Sequence, residues 1–167
     1  MKKILILGAG GELGKKILKY LDNKKYEIHH DKEIKKNKSK HYDDFILKKI
    51  EKVEIIINLV GYYGKSRSKL RKSNYQFVKK ISNILNTQKK KNFILVHLST
   101  IGVLDLNDSH QDSYKANNYY ECTKILSEKI ITNKDNRFSY IIFRPAALME
   151  LNNFKFIENL TKIIFFK

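Results

Sequence analysis

The sequence predicts an α/β protein, a doubly wound parallel sheet with helices on both faces. Three observations carry that expectation. Short apolar runs alternate with amphipathic helical patterns along the 167 residues, with no internal repeat. The first apolar run passes directly into Gly8-x-x-Gly11-x-x-Gly14 and then a helical pattern. Finally, Gly8, Asp31, Gly61, Thr100 and Pro145 all fall where strands should end, the edge at which open parallel sheets bind ligands.

The first element, Ile4–Leu7, is apolar and β-branched enough to be a strand buried on both faces. After the glycines, Leu13, Ile17, Leu18 and Leu21 recur at helical spacing. Strand, glycine turn and helix is the order that a dinucleotide site needs. Gly8 permits the tight turn, Gly11 the approach of a pyrophosphate, and Gly14 close packing of helix on strand. The helix N-terminus adds free N–H groups and a positive dipole end for the phosphates.

Tyr26–His30 reads as a second strand ending at Asp31. A carboxylate there accepts hydrogen bonds from adenosine ribose hydroxyls and repels a 2′-phosphate, which favours NAD, while Lys32, Lys35 and Lys36 follow at once and could offset that repulsion; the alternative is a solvated charge cluster. Lys35–Lys40 is a basic loop, and Tyr42–Ile50 a short helix with Asp43 or Asp44 as its expected N-cap. Val53–Val60 is the next buried strand, leading into Gly61. A basic loop, Tyr62–Arg71, precedes a helix over Ser73–Gln88 with Phe77, Val78, Ile81, Ile84 and Leu85 on one face. Phe93–Leu98 is a strand that delivers Ser99 and Thr100, and a polar loop runs on to Asn118. Tyr119–Thr132 is helical, Phe138–Arg144 is a strand closed by Pro145, and Asn152–Phe166 starts another helix.

Composition narrows the partners. No run reaches the ~18 apolar residues of a membrane span, and the N-terminal apolar stretch stops at Gly8 without a signal-peptide cleavage site. The single cysteine, Cys122, forms no internal disulfide and fits a reducing cytoplasm. A net charge of +17 raises the question of nucleic acid. However, only four of the 34 basic residues are Arg, and the lysines are spread over nearly every segment. That is compositional bias rather than a phosphate-binding face, so nucleic acid is not the expected partner. His29 and His30 point to opposite sides of a strand, and His41, His97 and His110 lack partners at ligand spacing. No metal is expected.

Tyr120 and Lys124 are four residues apart on one helix and share a face. For a tyrosine to accept a proton near neutral pH its pKa must fall by about three from ~10, roughly 4 kcal/mol. One ammonium at ~4 Å in an effective dielectric near 20 supplies about that much. Thr100, on a neighbouring strand end, could hold the reacting oxygen.

Taken together, GAGGELG, NLVG, Asn74, HLST, YYECTK and FRPAAL occur in order at sensible intervals, and the pattern closely resembles the extended short-chain dehydrogenase/reductase superfamily, the NAD-dependent epimerase/dehydratase group. The resemblance covers Ile4 to about Met149. It implies a Rossmann fold, an NAD cofactor (or NADP), a small-molecule substrate such as a nucleotide sugar, and chemistry at a carbinol carbon. By that resemblance Tyr120 is the acid/base, Lys124 lowers its pKa and binds the nicotinamide ribose, and Thr100 takes the serine/threonine role. Gly8, Gly11, Glu12, Leu13, Gly14, Asp31, Leu59, Val60, Gly61, Ser99, Tyr120, Lys124 and Pro145 would line the cofactor. A homodimer through the helices at Asn74–Leu85 and Tyr120–Ile131 is implied as in relatives. The rival readings are a non-catalytic NAD(P)-binding protein of the same fold and a reductase of a non-sugar carbonyl.

Two departures from the family pattern stand out. In sugar-nucleotide dehydratases of the group an Asp-Glu pair follows the threonine, whereas Ile101-Gly102 follows Thr100 here, which disfavours dehydration. Family members also run on well past the Arg-Pro motif. Residues 1–167 are therefore expected to be an NAD(P)-binding domain, with about 150–167 the start of a truncated substrate lobe. Such a chain alone should bind cofactor but turn over poorly.

Overall fold

The computed structural model describes residues 2–21, 25–31, 39–89, 92–105, 108 and 113–146. The chain alternates as expected: β1 (Lys2–Leu7), α1 (Glu12–Tyr20), β2 (Tyr26–His30), α2 (Ser39–Ile50), β3 (Ile55–Asn58), α3 (Arg67–Leu70), a π-helical turn (Arg71–Gln76), α4 (Phe77–Thr87), β4 (Ile94–Leu98), a 3-10 turn (Ile101–Val103), α5 (Tyr119–Ile131) and β5 (Ser139–Phe143). The strands form one parallel sheet in the order β2-β1-β3-β4-β5. This is the doubly wound order in which the connections reverse direction at β1 and β3, opening a crevice at their carboxyl ends.

Residues Ile4 to Leu7 are inaccessible to solvent and feed both faces of the sheet. Ile4 and Ile6 pack with Ile55, Ile57 and Val96 under Leu13, Ile17 and Leu21 of the α1 side. Leu5 and Leu7 pack with Ile56 and Leu95 under Ile46 and Ile50 of α2, Val78, Ile81 and Leu85 of α4, and Ile131 of α5. A continuous apolar run is what a strand buried on both faces requires.

Two expectations need correction. The helix expected over Ser73–Gln88 begins earlier, at Arg67, inside the stretch read as loop. Ser66 caps it, its hydroxyl accepting the Lys69 N–H, and the π-helical turn at Arg71–Gln76 joins α3 to α4. Asp43 and Asp44 do not cap α2, since they lie inside a helix that begins at Ser39. The remaining boundaries agree to within a few residues. Lys32, Lys35, Lys36, His110 and the helix expected over Asn152–Phe166 lie outside the described residues.

Candidate functional site

The first wall of the site is the turn after β1. Gly8 adopts φ +84°, and a Cβ there would stand 2.8 Å from the Leu59 carbonyl carbon and the Val60 nitrogen. The turn therefore presses against the loop leaving β3, and only glycine fits. A Cβ on Gly14 would lie 2.5 Å from both the Ala9 Cα and the Gly8 oxygen, so α1 sits directly on the turn. Gly11 is the N-cap of α1 and offers no side-chain acceptor to the first turn. The N–H groups of that turn are the ones a phosphate would use.

Asp31, at the end of β2, reaches back to this turn. Its Oδ2 accepts the Gly8 N–H at 2.8 Å and the Tyr42 hydroxyl at 2.6 Å, and its Oδ1 accepts the Ala9 N–H at 2.9 Å. Burial and this carboxylate together push the Tyr42 phenol well above its ordinary range. The carboxylate is thus built into the turn, and among the described residues Oδ1 accepts a single donor. Tyr42 was not singled out by the sequence, because its partner is supplied by a different strand.

The opposite wall comes from β4 and α5. Asn118 caps α5 by accepting the Glu121 N–H, while the Glu121 carboxylate accepts the Asn117 N–H. This double cap sets Tyr120 and Lys124 in the first turns of the helix. Lys124 is only 4% exposed. Its ammonium donates to the Leu98 carbonyl oxygen at 2.8 Å, and burial lowers its pKa to about 8, with Glu128 opposing the shift. The site of a Cβ on Gly61 lies 3.6 Å from that Nζ, so the glycine leaves the ammonium open towards the cavity.

Tyr120 departs from expectation. Burial, then Tyr63 and Glu121, raise its pKa. The Lys124 ammonium stands 5.9 Å from the phenol ring centroid, turned to Leu98, and the Tyr63 ring packs edge-on at 5.0 Å. Lysine therefore does not bring the phenol down in this arrangement.

A cavity of about 230 Å³ joins the two walls and is lined by Gly8, Gly11, Glu12, Leu13, Gly14, Leu59, Gly61, Tyr62, Tyr63, Leu98, Ser99, Tyr120 and Lys124. Most residues expected from the sequence meet there. Asp31, Val60, Thr100 and Pro145 do not line it. Asp31 holds the turn through the Gly8 and Ala9 N–H groups, Thr100 accepts the Gly102 N–H at 3.4 Å as the cap of the 3-10 turn, and the Pro145 carbonyl accepts the Ile101 N–H. The Ser99 hydroxyl, by contrast, is buried against the cavity without a partner among the described residues.

Three further residues shape the mouth. Asn74 is fully buried in the π-helical turn; its Oδ1 accepts the Tyr62 N–H at 2.8 Å and its Nδ2 donates to the Tyr62 oxygen and the Thr123 hydroxyl. It thereby ties the loop after β3 to α5 and places Tyr62 and Tyr63 at the rim. Those two tyrosines carried no motif that the sequence could reveal.

Comparison with known proteins places this geometry. A family model described as NAD dependent epimerase/dehydratase family matches residues 4–155. No curated protein sequence matches the chain. Among solved structures, dTDP-4-dehydrorhamnose reductase from Bacillus anthracis, in complex with NADP, superposes with a TM-score of 0.69 at 22% identity, over 86% of this chain and 53% of that one. The orthologous reductase from Clostridium acetobutylicum gives 0.67 at 25% identity, over 96% and 60%. UDP-glucuronic acid 4-epimerase from Bacillus cereus, in complex with NAD, gives 0.63 at 16% identity, over 85% and 56%. The chain thus spans little more than half the length of these structures.

Proposed function

The chain belongs to the NAD dependent epimerase/dehydratase family, and from that premise we propose that it binds a nicotinamide dinucleotide and serves oxidation or reduction at a carbinol carbon of a nucleotide sugar. One observation supports this above the others: a single cavity at the strand ends brings the Gly8–Gly14 turn together with Gly61, Ser99, Tyr120 and Lys124. The residues suit the ligand. The uncapped first turn of α1 would take the pyrophosphate, the Asp31 carboxylate the adenosine ribose, and the Lys124 ammonium the nicotinamide ribose. Bound there, the nicotinamide would supply hydride exchange.

The protein's own part is the proton. Tyr120, with its pKa raised, rests as the neutral phenol. In that form it donates its proton to the oxygen of a substrate carbonyl as the carbon is reduced. Lys124 stays mostly protonated at neutral pH, since it titrates near 8, and orients the ribose beside the phenol. Ser99 supplies the cavity-lining hydroxyl for the reacting oxygen, while Ile101 and Gly102 bring no second acid for elimination.

The test pairs binding with turnover. NADH is titrated into the chain by fluorescence, and the complex is then offered a panel of dTDP- and UDP-linked keto sugars. Binding weakened at least tenfold in Lys124→Met supports the assignment, and equal binding contradicts it. Any turnover observed should fall by about 10²–10⁴ in Tyr120→Phe, the usual worth of a positioned general acid.

A further inference from the structure

Between the loop that lines the cavity and the helix that carries Lys124 lies a row of buried polar side chains with no place in the chemistry above. Asn58, His97 and Ser127 are respectively 1%, 0% and 0% exposed. They stand on β3, β4 and α5 and touch one another across the sheet. We propose that His97 is a positioning residue, the centre of a one-way hydrogen-bond relay that locks the loop after β3 to the backbone of Lys124. The role assigned to it in cofactor binding rests on the function proposed above.

The direction of the relay follows from counting protons. Ser127 has one hydroxyl hydrogen, and it is given to the Lys124 carbonyl oxygen at 2.7 Å. At its contact with His97 Nε2, 3.3 Å away, Ser127 Oγ can therefore only accept. So His97 carries its hydrogen on Nε2. Because burial, and then the nearby Lys124 charge, hold the imidazole neutral, Nδ1 is a bare acceptor. It takes the Asn58 Nδ2–H at 3.2 Å. That orients the Asn58 amide and leaves its Oδ1 to accept the Val60 N–H at 3.1 Å, next to Gly61. Four bonds in series thus run from Val60 to Lys124, each fixing the orientation of the next. Bonds aligned in one sense strengthen one another, and a break leaves buried groups unpaired.

Cutting the relay at one end should therefore be felt at the other. Without the Ser127 hydroxyl, His97 is free to take either tautomer, Asn58 can turn its amide over, and Val60 loses its acceptor. The test uses the 167-residue chain in four forms: wild type, Ser127→Ala, His97→Phe and the double variant. Long-range proton–nitrogen NMR of the wild type at neutral pH should show His97 with hydrogen on Nε2 alone. Amide exchange at Val60 should accelerate several-fold in either single variant relative to strand amides such as Leu5, and no further in the double variant. NADH affinity should fall about tenfold in Ser127→Ala, although Ser127 does not line the cavity. A His97 hydrogen on Nδ1 would overturn the proposal. So would a Val60 exchange rate that follows only the global change, or additive effects in the double variant, as expected of independent packing contacts. If the wild type does not bind NADH at all, the cofactor assignment fails, while the tautomer and exchange data still decide the relay.

Discussion

The Tyr42 hydroxyl donates to Asp31 Oδ2 at 2.6 Å, and the same carboxylate receives the N–H groups of Gly8 and Ala9. A side chain from α2 thus braces the acid that braces the glycine turn. Hydrogen bonds to a charged group contribute about 1.5–3 kcal/mol each. Tyr42→Phe should cost about that much in urea unfolding. Asp31→Ala should cost more, because two turn N–H groups lose their acceptor at once. Equal, negligible costs for both would mean that the brace carries no load.

Gly14 makes the opposite kind of prediction, since helix propensity argues for replacing it. Alanine is better than glycine in a helix by about 1 kcal/mol. Yet a Cβ at Gly14 would meet backbone atoms of Gly8 and Ala9 at 2.5 Å, and backbone cannot swing aside. Gly14→Ala should therefore destabilise the fold by about 1–3 kcal/mol, the usual cost of overpacking. A stabilised variant would show that α1 does not sit on the turn as described.

The buried Lys124 predicts a pH dependence whose sign can be fixed. In the fold it titrates near 8, against 10.5 ordinarily. Below pH 8 the lysine is protonated in both states. Between 8 and 10.5 the unfolded chain holds a proton that the folded chain has released, so stability rises with pH. Relative to Lys124→Met, the wild type should gain stability across that window and be flat below it. Denaturant unfolding of both proteins at several pH values checks this, and the other lysines cancel in the comparison.

Asn74 links three segments at the mouth. Removing its side chain takes the partner from the Tyr62 N–H and C=O, whereas the Thr123 hydroxyl keeps its bond to the Tyr120 carbonyl oxygen. Unsatisfied buried groups cost about 1–3 kcal/mol apiece. Asn74→Ala should thus lower stability by at least that amount and loosen the Tyr62–Tyr63 rim, visible as faster amide exchange at Tyr62.

Much of this was legible in the sequence, for identifiable reasons. The strand Ile4–Leu7 announces itself because a strand buried on both faces must be apolar throughout. The glycine spacing and the Tyr120–Lys124 pair are local in the chain, and their elements follow directly. What escaped the reading is non-local or irregular. His97 has no partner at ligand spacing because Asn58 and Ser127 lie 39 and 30 residues away. The π-helical turn around Asn74 breaks the 3.6-residue period, which hid the true start of the helix at Arg67. The direction of Lys124 was also invisible: four-residue spacing puts it on Tyr120's face, but the Leu98 carbonyl decides where the ammonium goes.

The central claim is that the cavity at the Gly8–Gly14 turn holds a nicotinamide dinucleotide. Gly11 lines it, and among the described residues only the Gly8 oxygen, at 3.3 Å, lies within reach of a Cβ there. Valine there would put its branches where the pyrophosphate must lie, at the N-terminus of α1. Fluorescence titration of NADH against wild type and Gly11→Val, with circular dichroism to match their folds, is the most direct measurement. The expected result is saturable binding to the wild type and affinity at least tenfold weaker in the variant. Equal affinity in two equally folded proteins would place the cofactor elsewhere and contradict the site.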